Sequence, residues 1–194
     1  SSSNGSGYFL YHSIGMYPGK AEAMARALGD YAHIWGTPND SQWPQVLGLR
    51  QRFIDLWSSM IGAEPGTLTS AENVTTALLS LVGGLPQDRL RDRTVLVAGD
   101  CFPSLHFLLA GLAPRLGFTL RTVPLRTGES WVREEDMIAA WDETVGLALL
   151  TFVTSTASYR CELDTLVAHG RRLGSIVGVD VTQGTGLRPY RGDA

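Results

Sequence analysis

Polar and aromatic side chains follow several apolar runs of this sequence, at the points where those runs end. Phe102 comes shortly after one run, Thr154 follows another, and Asp180 and Gln183 stand at the end of a third. Residues 69–72 have the spacing of a helix N-terminus, whose free backbone N–H groups can bind a phosphate. An anion site, an aromatic ring, a carboxylate and two hydrogen-bonding side chains could together hold a planar, phosphorylated ring that contains nitrogen.

The elements that must position these residues alternate between strand and helix. Apolar, β-branched runs predict four strands, over residues 94–98, 118–123, 147–153 and 175–181. Helical patterns separate them, over residues 103–116, 134–144 and 163–173. Another helix is expected to start near Thr69, because Thr69 and Glu72 have the spacing of a capping box. Strands without polar alternation indicate a parallel sheet covered on both faces, and such sheets bind ligands at the carboxyl ends of their strands.

The N-terminal part of the sequence has a different pattern. Residues 1–7 are polar and of low complexity, and they predict a flexible arm. Residues 20–34 contain good helix formers, and the apolar residues of 49–60 recur at the spacing of one helix face. The predicted fold class is therefore α/β, in which residues 8–62 form a helical N-terminal arm and residues 63–194 form the sheet domain.

Composition excludes several classes of function. The chain has 194 residues and a formal net charge of −3, which argues against nucleic acid or an anionic membrane surface as the main partner. No apolar run approaches the ~20 residues that span a bilayer, so we expect a soluble, cytoplasmic protein. The sequence has no ATP-binding or dinucleotide-binding loop and no serine elbow. Cys101 and Cys161 lack metal-ligand spacing, and no metal site is predicted.

Three segments resemble one group of enzymes. Residues 8–18 (YFLYHSIGMYP) resemble the opening segment of kynureninases. Residues 101–104 (CFPS) are similar to the segment whose aromatic ring stacks on pyridoxal 5'-phosphate (PLP) in that family. Residues 175–183 resemble the strand that ends in the family's aspartate, with the Asp-x-x-Gln of the related cysteine desulfurases. The resemblance points to fold-type I PLP enzymes of the class V aminotransferase group. It implies a PLP-transferase-like three-layer fold, of which residues 63–194 are part of the PLP-binding large domain.

The resemblance also implies roles for individual residues. Asp180 would lie against the pyridine nitrogen and keep it protonated, because a nearby carboxylate favours the charged form. The protonated ring is the electron sink that stabilises a carbanion at the substrate's α-carbon. Gln183 would hydrogen-bond the ring's phenolic oxygen, at a place where kynureninases carry histidine. Phe102 would stack on the face of the ring, although it could equally be a core residue that precedes a helix.

Further residues match the family more loosely. Ser70 and Ala71 match the phosphate-binding turn, and Thr154 matches a small hydroxyl residue near the ring. His12 and Trp43 are expected to face the substrate, because the N-terminal arm of such enzymes folds over the active site. Trp43 could equally be a packing residue.

The lysine on which PLP chemistry depends is not found at the expected place. The family's lysine follows the aspartate by a few tens of residues and forms a Schiff base with the cofactor. Lys20 is the only lysine in the sequence, and it precedes the predicted sheet, so it cannot take that role. We therefore expect a fragment of a longer enzyme, with the Schiff-base lysine and a C-terminal domain outside it, rather than a degenerate relative without catalysis.

The predicted function is PLP-dependent cleavage of a bond at the β-carbon of a small amino acid, by a C–S lyase or a kynureninase-like hydrolase. Desulfuration, epimerisation, transamination and decarboxylation stay open, because one carbanion serves them all. A homodimer is implied by the resemblance, since these active sites form between two subunits. The alternative of another class is a non-catalytic α/β module that binds a phosphorylated ligand or a partner protein. A lysine after the next strand would distinguish the two.

Overall fold

The computed structural model describes residues 9–11 and 13–186. The predicted flexible arm, residues 1–7, lies outside the described residues. The chain divides into two compact units between Ser70 and Ala71, and each unit is described by itself.

Two helices lie in the described part of the first unit. Helix α1 spans Lys20–Gly36 and helix α2 spans Gln42–Ile61, so α2 begins well before the apolar face over residues 49–60. Gly62 ends α2 in a left-handed conformation (φ 67°), which glycine adopts without a steric penalty. Ile54 is the one residue of these helices that is buried among the described residues, and most apolar side chains of α2 are exposed.

The second unit is a parallel sheet with helices on both faces. Its strands are β1 (Thr94–Ala98), β2 (Thr119–Val123), β3 (Val145–Thr151) and β4 (Ile176–Asp180). Its α-helices are α3 (Val74–Gly84), α4 (Pro103–Leu116), α5 (Glu134–Ala139) and α6 (Leu163–Arg172). The order of the strands is β2-β1-β3-β4, and every neighbouring pair is parallel. The predicted α/β class is confirmed, and each predicted strand is present with its ends shifted by no more than two residues.

Alternating strand side chains build two cores, one on each face of the sheet. Val95 and Val97 of β1 belong to the core that α3 and α4 cover, whereas Leu96 belongs to the core that α5 and α6 cover. All residues of β1 and β3 are buried. Each fully buried valine or leucine side chain contributes about 1.5–3 kcal/mol, so these two central strands hold the three layers together.

Two predicted helix ends are wrong. Helix α3 begins at Val74 instead of near Thr69, because the Asn73 side chain caps it by accepting a hydrogen bond from the Thr76 backbone N–H at 2.9 Å. Helix α5 ends at Ala139 instead of residue 144. At this end of the helix, Arg121 of β2 donates a hydrogen bond to the carbonyl of Ala140, the C-cap residue, at 2.7 Å. This contact joins residues 19 positions apart, so the local sequence pattern does not show it.

No helix within the described part of the chain is long and apolar enough to cross a membrane.

Candidate functional site

Asp180 is the last residue of β4, and its side chain is buried. The residue is 8% exposed, and Thr182 donates both its backbone N–H (3.0 Å) and its hydroxyl (2.6 Å) to Asp180 Oδ1. No other residue that the structure describes donates a hydrogen bond to this carboxylate. Oδ2 accepts no hydrogen bond from a described residue, so it is a candidate acceptor for a cationic N–H group of a ligand.

Gln183 lies in the turn after β4, three residues after Asp180 in the sequence. Gly184 and Thr185 donate their backbone N–H groups to the Val181 carbonyl at 3.0 and 2.9 Å, which closes the turn. Gly184 packs against the Phe152 ring so closely that a Cβ atom at this position would clash with it. Gln183 is half-buried, and its side-chain amide makes no hydrogen bond with any described residue. The amide is therefore available to a ligand.

The end of β3 brings two threonines to the same edge of the sheet. Thr154 is 3% exposed, and its hydroxyl oxygen accepts a hydrogen bond from the Tyr159 backbone N–H at 3.0 Å. Thr151 is paired with Asp180 in the strand register, and its buried hydroxyl has no hydrogen-bond partner among the described residues. Thr151 was not among the predicted site residues, although it shares with Asp180 the pattern of a polar residue at the end of an apolar strand.

The loop after β1 exposes an aromatic ring. Phe102 precedes Pro103, adopts an extended conformation (ψ 128°) as the N-cap of α4, and is 42% exposed. Within the described part of the chain the Phe102 ring is therefore a surface residue and not a core residue. The neighbouring Cys101 is buried; burial raises the pKa of its thiol to about 11, with a further increase from the charges of Asp100 and Asp180. Strands β1 and β4 both run parallel to β3, which lies between them, so their carboxyl ends lie at the same edge of the sheet.

The first turns of α3 and α4 lie side by side at this edge. The Thr75 hydroxyl of α3 donates a hydrogen bond to the Ser104 hydroxyl of α4 at 3.1 Å. Ala71 precedes α3 in an irregular segment, and it can offer a ligand only its backbone. Ser70 is the last residue of the first unit, where its hydroxyl accepts a hydrogen bond from Arg50 Nε at 3.0 Å.

A polar cluster under the β3–α6 connection fixes the loop that contains Thr154. Glu134 accepts hydrogen bonds from the Tyr159 hydroxyl (2.7 and 2.8 Å) and from the Glu162 backbone N–H (3.0 Å). Burial and then the Glu134 carboxylate raise the pKa of Tyr159, so its hydroxyl stays protonated as a donor. Tyr159 also stacks on Trp131, with ring centroids 4.8 Å apart. No sequence pattern indicated this cluster.

Neither of the two residues expected to face the substrate belongs to the second unit. His12 lies outside the described residues. Trp43 belongs to the first unit, where its ring meets Trp35 edge-on at 5.0 Å and is 55% exposed. That these two residues face a substrate stays a prediction.

Comparison with known proteins identifies the fold. No protein-family model and no curated protein matches the chain. Among solved structures, the cystine C–S lyase C-DES bound to its reaction product cysteine persulfide matches 96% of this chain at 20% identity and a TM-score of 0.81. A C-DES mutant with glycine covalently linked to its PLP cofactor matches with the same coverage, identity and TM-score. The Escherichia coli cysteine desulfurase CsdA matches 90% of the chain at 13% identity and a TM-score of 0.72.

The chain has the fold of these enzymes. The three-layer architecture that the resemblance implied is therefore confirmed. The chain spans about half the length of the solved structures, covering 49% and 50% of the two C-DES chains and 44% of the CsdA chain.

Proposed function

We propose that the chain is the cofactor-binding part of a PLP-dependent enzyme that cleaves the C–S bond of a cysteine-derived amino acid. The observation that carries the proposal is the Asp180 side chain, which is buried at the carboxyl end of β4, with Oδ1 held by Thr182 and with no described residue that donates to Oδ2. The likeness of the fold to the C-DES structures supports the proposal.

The side chains at the strand ends fit the chemistry of a pyridinium ring. Asp180 Oδ2 offers a negative charge to a protonated ring nitrogen, and this ion pair keeps the proton on the nitrogen. The exposed Phe102 ring offers an apolar face for stacking, and the Gln183 amide offers a hydrogen bond to the phenolic oxygen. When bound, PLP supplies an electron sink that stabilises negative charge at the substrate's α-carbon.

The remaining contacts of the proposed site are hydroxyl and backbone groups. The Thr154 oxygen already accepts a hydrogen bond from Tyr159, so its own O–H can donate to the cofactor. Ser70 and Ala71 stay candidates for binding the phosphate through a hydroxyl and a backbone N–H group, and the free N–H groups of the helix N-terminus lie a few residues later, after Asn73 at the start of α3. His12 and Trp43 stay candidates for contact with the substrate.

A Schiff-base lysine is needed from a part of the whole protein outside these 194 residues. Lys20 begins α1 in the first unit, and the sequence has no other lysine. In this proposal residues 63–194 are part of the PLP-binding large domain, and the whole enzyme is a cytoplasmic homodimer with a small amino acid as its substrate.

The two thiols of the chain favour a lyase over a desulfurase that would use one of them as its nucleophile. Burial raises the pKa of Cys101 to about 11 and that of Cys161 to about 12, with further increases from nearby carboxylates. The thiolate is the reactive form of cysteine, and at neutral pH both residues are thiols. Cleavage of cystine to a persulfide product needs no protein thiolate, whereas transfer of sulfur to the protein does.

The test uses the whole protein from which this chain comes. We expect purified protein to bind PLP with a visible absorption band and to release pyruvate and a persulfide from cystine. Asp180→Asn should weaken PLP binding and abolish turnover, whereas Asp88→Asn, on an exposed turn, should change neither. Alanine from cysteine would indicate a desulfurase, and anthranilate from kynurenine a kynureninase-like hydrolase. A protein that binds no PLP would overturn the proposal in favour of a non-catalytic module.

A further inference from the structure

The loop between β1 and α4 carries the Phe102 ring, and its backbone determines where that ring lies. Gly99 donates its backbone N–H to the Val123 carbonyl at 2.8 Å. Cys101 donates its backbone N–H to the Ala98 carbonyl at 3.2 Å. Because Phe102 is 42% exposed, packing fixes its ring only in part. The position of the ring therefore depends on how the loop is held.

Asp100 lies in the middle of this loop, and its side chain connects the loop to a distant part of the second unit. Asp100 Oδ2 accepts a hydrogen bond from the Val132 backbone N–H at 3.1 Å, across 32 positions of the sequence. Val132 is 7% exposed and belongs to the same core as Met137 and Leu166, so the position of its N–H group is fixed. The loop is thus held against the segment that precedes α5.

The same segment also holds the loop that follows β3. Glu134, two residues after Val132, accepts a hydrogen bond from the Tyr159 hydroxyl, and Tyr159 donates its backbone N–H to the Thr154 hydroxyl oxygen. Asp100, Glu134 and Thr154 line one small cavity beside the carboxyl ends of β1 and β3. The two loops are therefore held against one short piece of the chain, which sets their spacing.

The surroundings of Asp100 do not favour its charge. Burial raises the pKa of Asp100 above its ordinary value, and the charge of Glu134 adds to the increase, whereas the hydrogen bond from Val132 opposes it. The folded state thus binds the proton more tightly than the unfolded state does, so ionised Asp100 costs stability at neutral pH. The contribution of this carboxylate is therefore the position of the loop and not the stability of the fold.

We propose that Asp100 is a positioning residue, which accepts the Val132 N–H group and so places the Phe102 ring against the face of the cofactor. This inference rests on the proposed function and extends it to a residue to which neither the sequence motifs nor the family resemblance gave a role. Asp100 touches neither the cofactor nor the reacting atoms, and it acts through the backbone that leads to Phe102. All of these residues belong to the second unit.

The test measures PLP binding to the whole protein with and without the Phe102 ring. Asp100→Ala removes the acceptor and should raise the dissociation constant of PLP roughly three- to ten-fold, the range expected for the loss of a stacking contact. Asp100→Asn keeps a side-chain oxygen for the Val132 N–H and should bind PLP within about two-fold of the wild type. In Phe102→Leu, which lacks the ring, adding Asp100→Ala should cause no further loss, because residues that act through one contact are not additive.

Asp142→Ala is the matched control. Asp142 also accepts a backbone N–H, from Thr144 at 2.9 Å, but it precedes β3 and so lies at the opposite end of the sheet from Phe102. Its replacement should destabilise the fold and leave the dissociation constant of PLP unchanged. Asp100→Asn should leave the free energy of unfolding at neutral pH unchanged or higher, because it removes an unfavourable charge and keeps the hydrogen bond.

Three results would overturn the inference: unchanged PLP binding in Asp100→Ala, an equally large loss in Asp100→Asn, or a further loss when Asp100→Ala is added to Phe102→Leu. If wild-type protein binds no PLP, the proposed function fails, and the role of Asp100 is judged by hydrogen–deuterium exchange of the protein without cofactor. The amides of Cys101 and Phe102 must then exchange at least ~five-fold faster in Asp100→Ala than in Asp100→Asn, and equal rates would overturn the inference. If Asp100→Ala does not fold, the Val132 amide of the wild type decides. Slow exchange of that amide supports the inference, and rapid exchange overturns it.

Discussion

Replacing Thr182 by valine tests whether the orientation of the Asp180 carboxylate matters for cofactor binding. The substitution removes the hydroxyl that donates to Asp180 Oδ1 at 2.6 Å and leaves the backbone N–H bond at 3.0 Å in place. Valine has nearly the same shape as threonine, so the turn itself should persist.

The expected magnitude follows from the environment of the two groups. A hydrogen bond to a charged group contributes about 1.5–3 kcal/mol when water cannot replace it. Asp180 is buried but Thr182 is exposed, so water can partly replace the lost donor. We therefore expect the low end of that range, about 1.5 kcal/mol, which corresponds to a roughly ten-fold weaker affinity for PLP.

The assay is equilibrium binding of PLP to the whole protein, followed by the visible absorption of the bound cofactor. Thr182→Ser keeps the hydroxyl and should bind PLP as the wild type does. Thr185→Val is the matched control, because its hydroxyl donates to the Val181 carbonyl at 2.9 Å in the same turn without contacting Asp180. Wild-type affinity in Thr182→Val, or an equal loss in Thr185→Val, would refute the reasoning.

Two further predictions concern stability and thiol reactivity. Gly184→Ala should lower the free energy of unfolding, measured by urea denaturation, by about 1–3 kcal/mol, because the added Cβ would lie 2.8 Å from Phe152 Cε1. The control is Gly83→Ala on α3, which should not be destabilising because no atom lies near the added Cβ. At pH 8, iodoacetamide should modify Cys101 and Cys161 at least ~100-fold more slowly in folded than in urea-unfolded protein, because burial raises their thiol pKa from 9.0 to about 11 and 12 and only the thiolate reacts. Mass spectrometry measures the rates, and similar rates in both states would contradict the burial of these thiols.

The order of strands and helices was predictable because it depends on local patterns. The side chains of residues 94–98 and 147–153 are mostly apolar on both faces of the strand, which is typical of strands in a sheet that is covered on both sides. In the structure, all residues of β1 and β3 are buried. The same reasoning placed Asp180 at the end of a strand.

The start of α3 was not predictable, because two residues compete for the same role. Thr69 and Asn73 are both good N-cap residues, and the local sequence does not decide between them. In the structure Asn73 caps the helix, while Arg50 donates a hydrogen bond to Thr69. That contact joins residues 19 positions apart, and it depends on how α2 packs against the following segment.

Sequence alone determined the α/β class, the parallel strands and the position of Asp180 and Phe102 at strand ends, since apolar runs and turn residues act over a few neighbours. Only the tertiary structure decided which groups these residues contact. Among the described residues it leaves Asp180 Oδ2 without a donor, exposes the Phe102 ring, and brings Arg50 to Ser70. Such contacts join residues far apart in the sequence or depend on burial, and both arise only when the helices pack against the sheet and against each other.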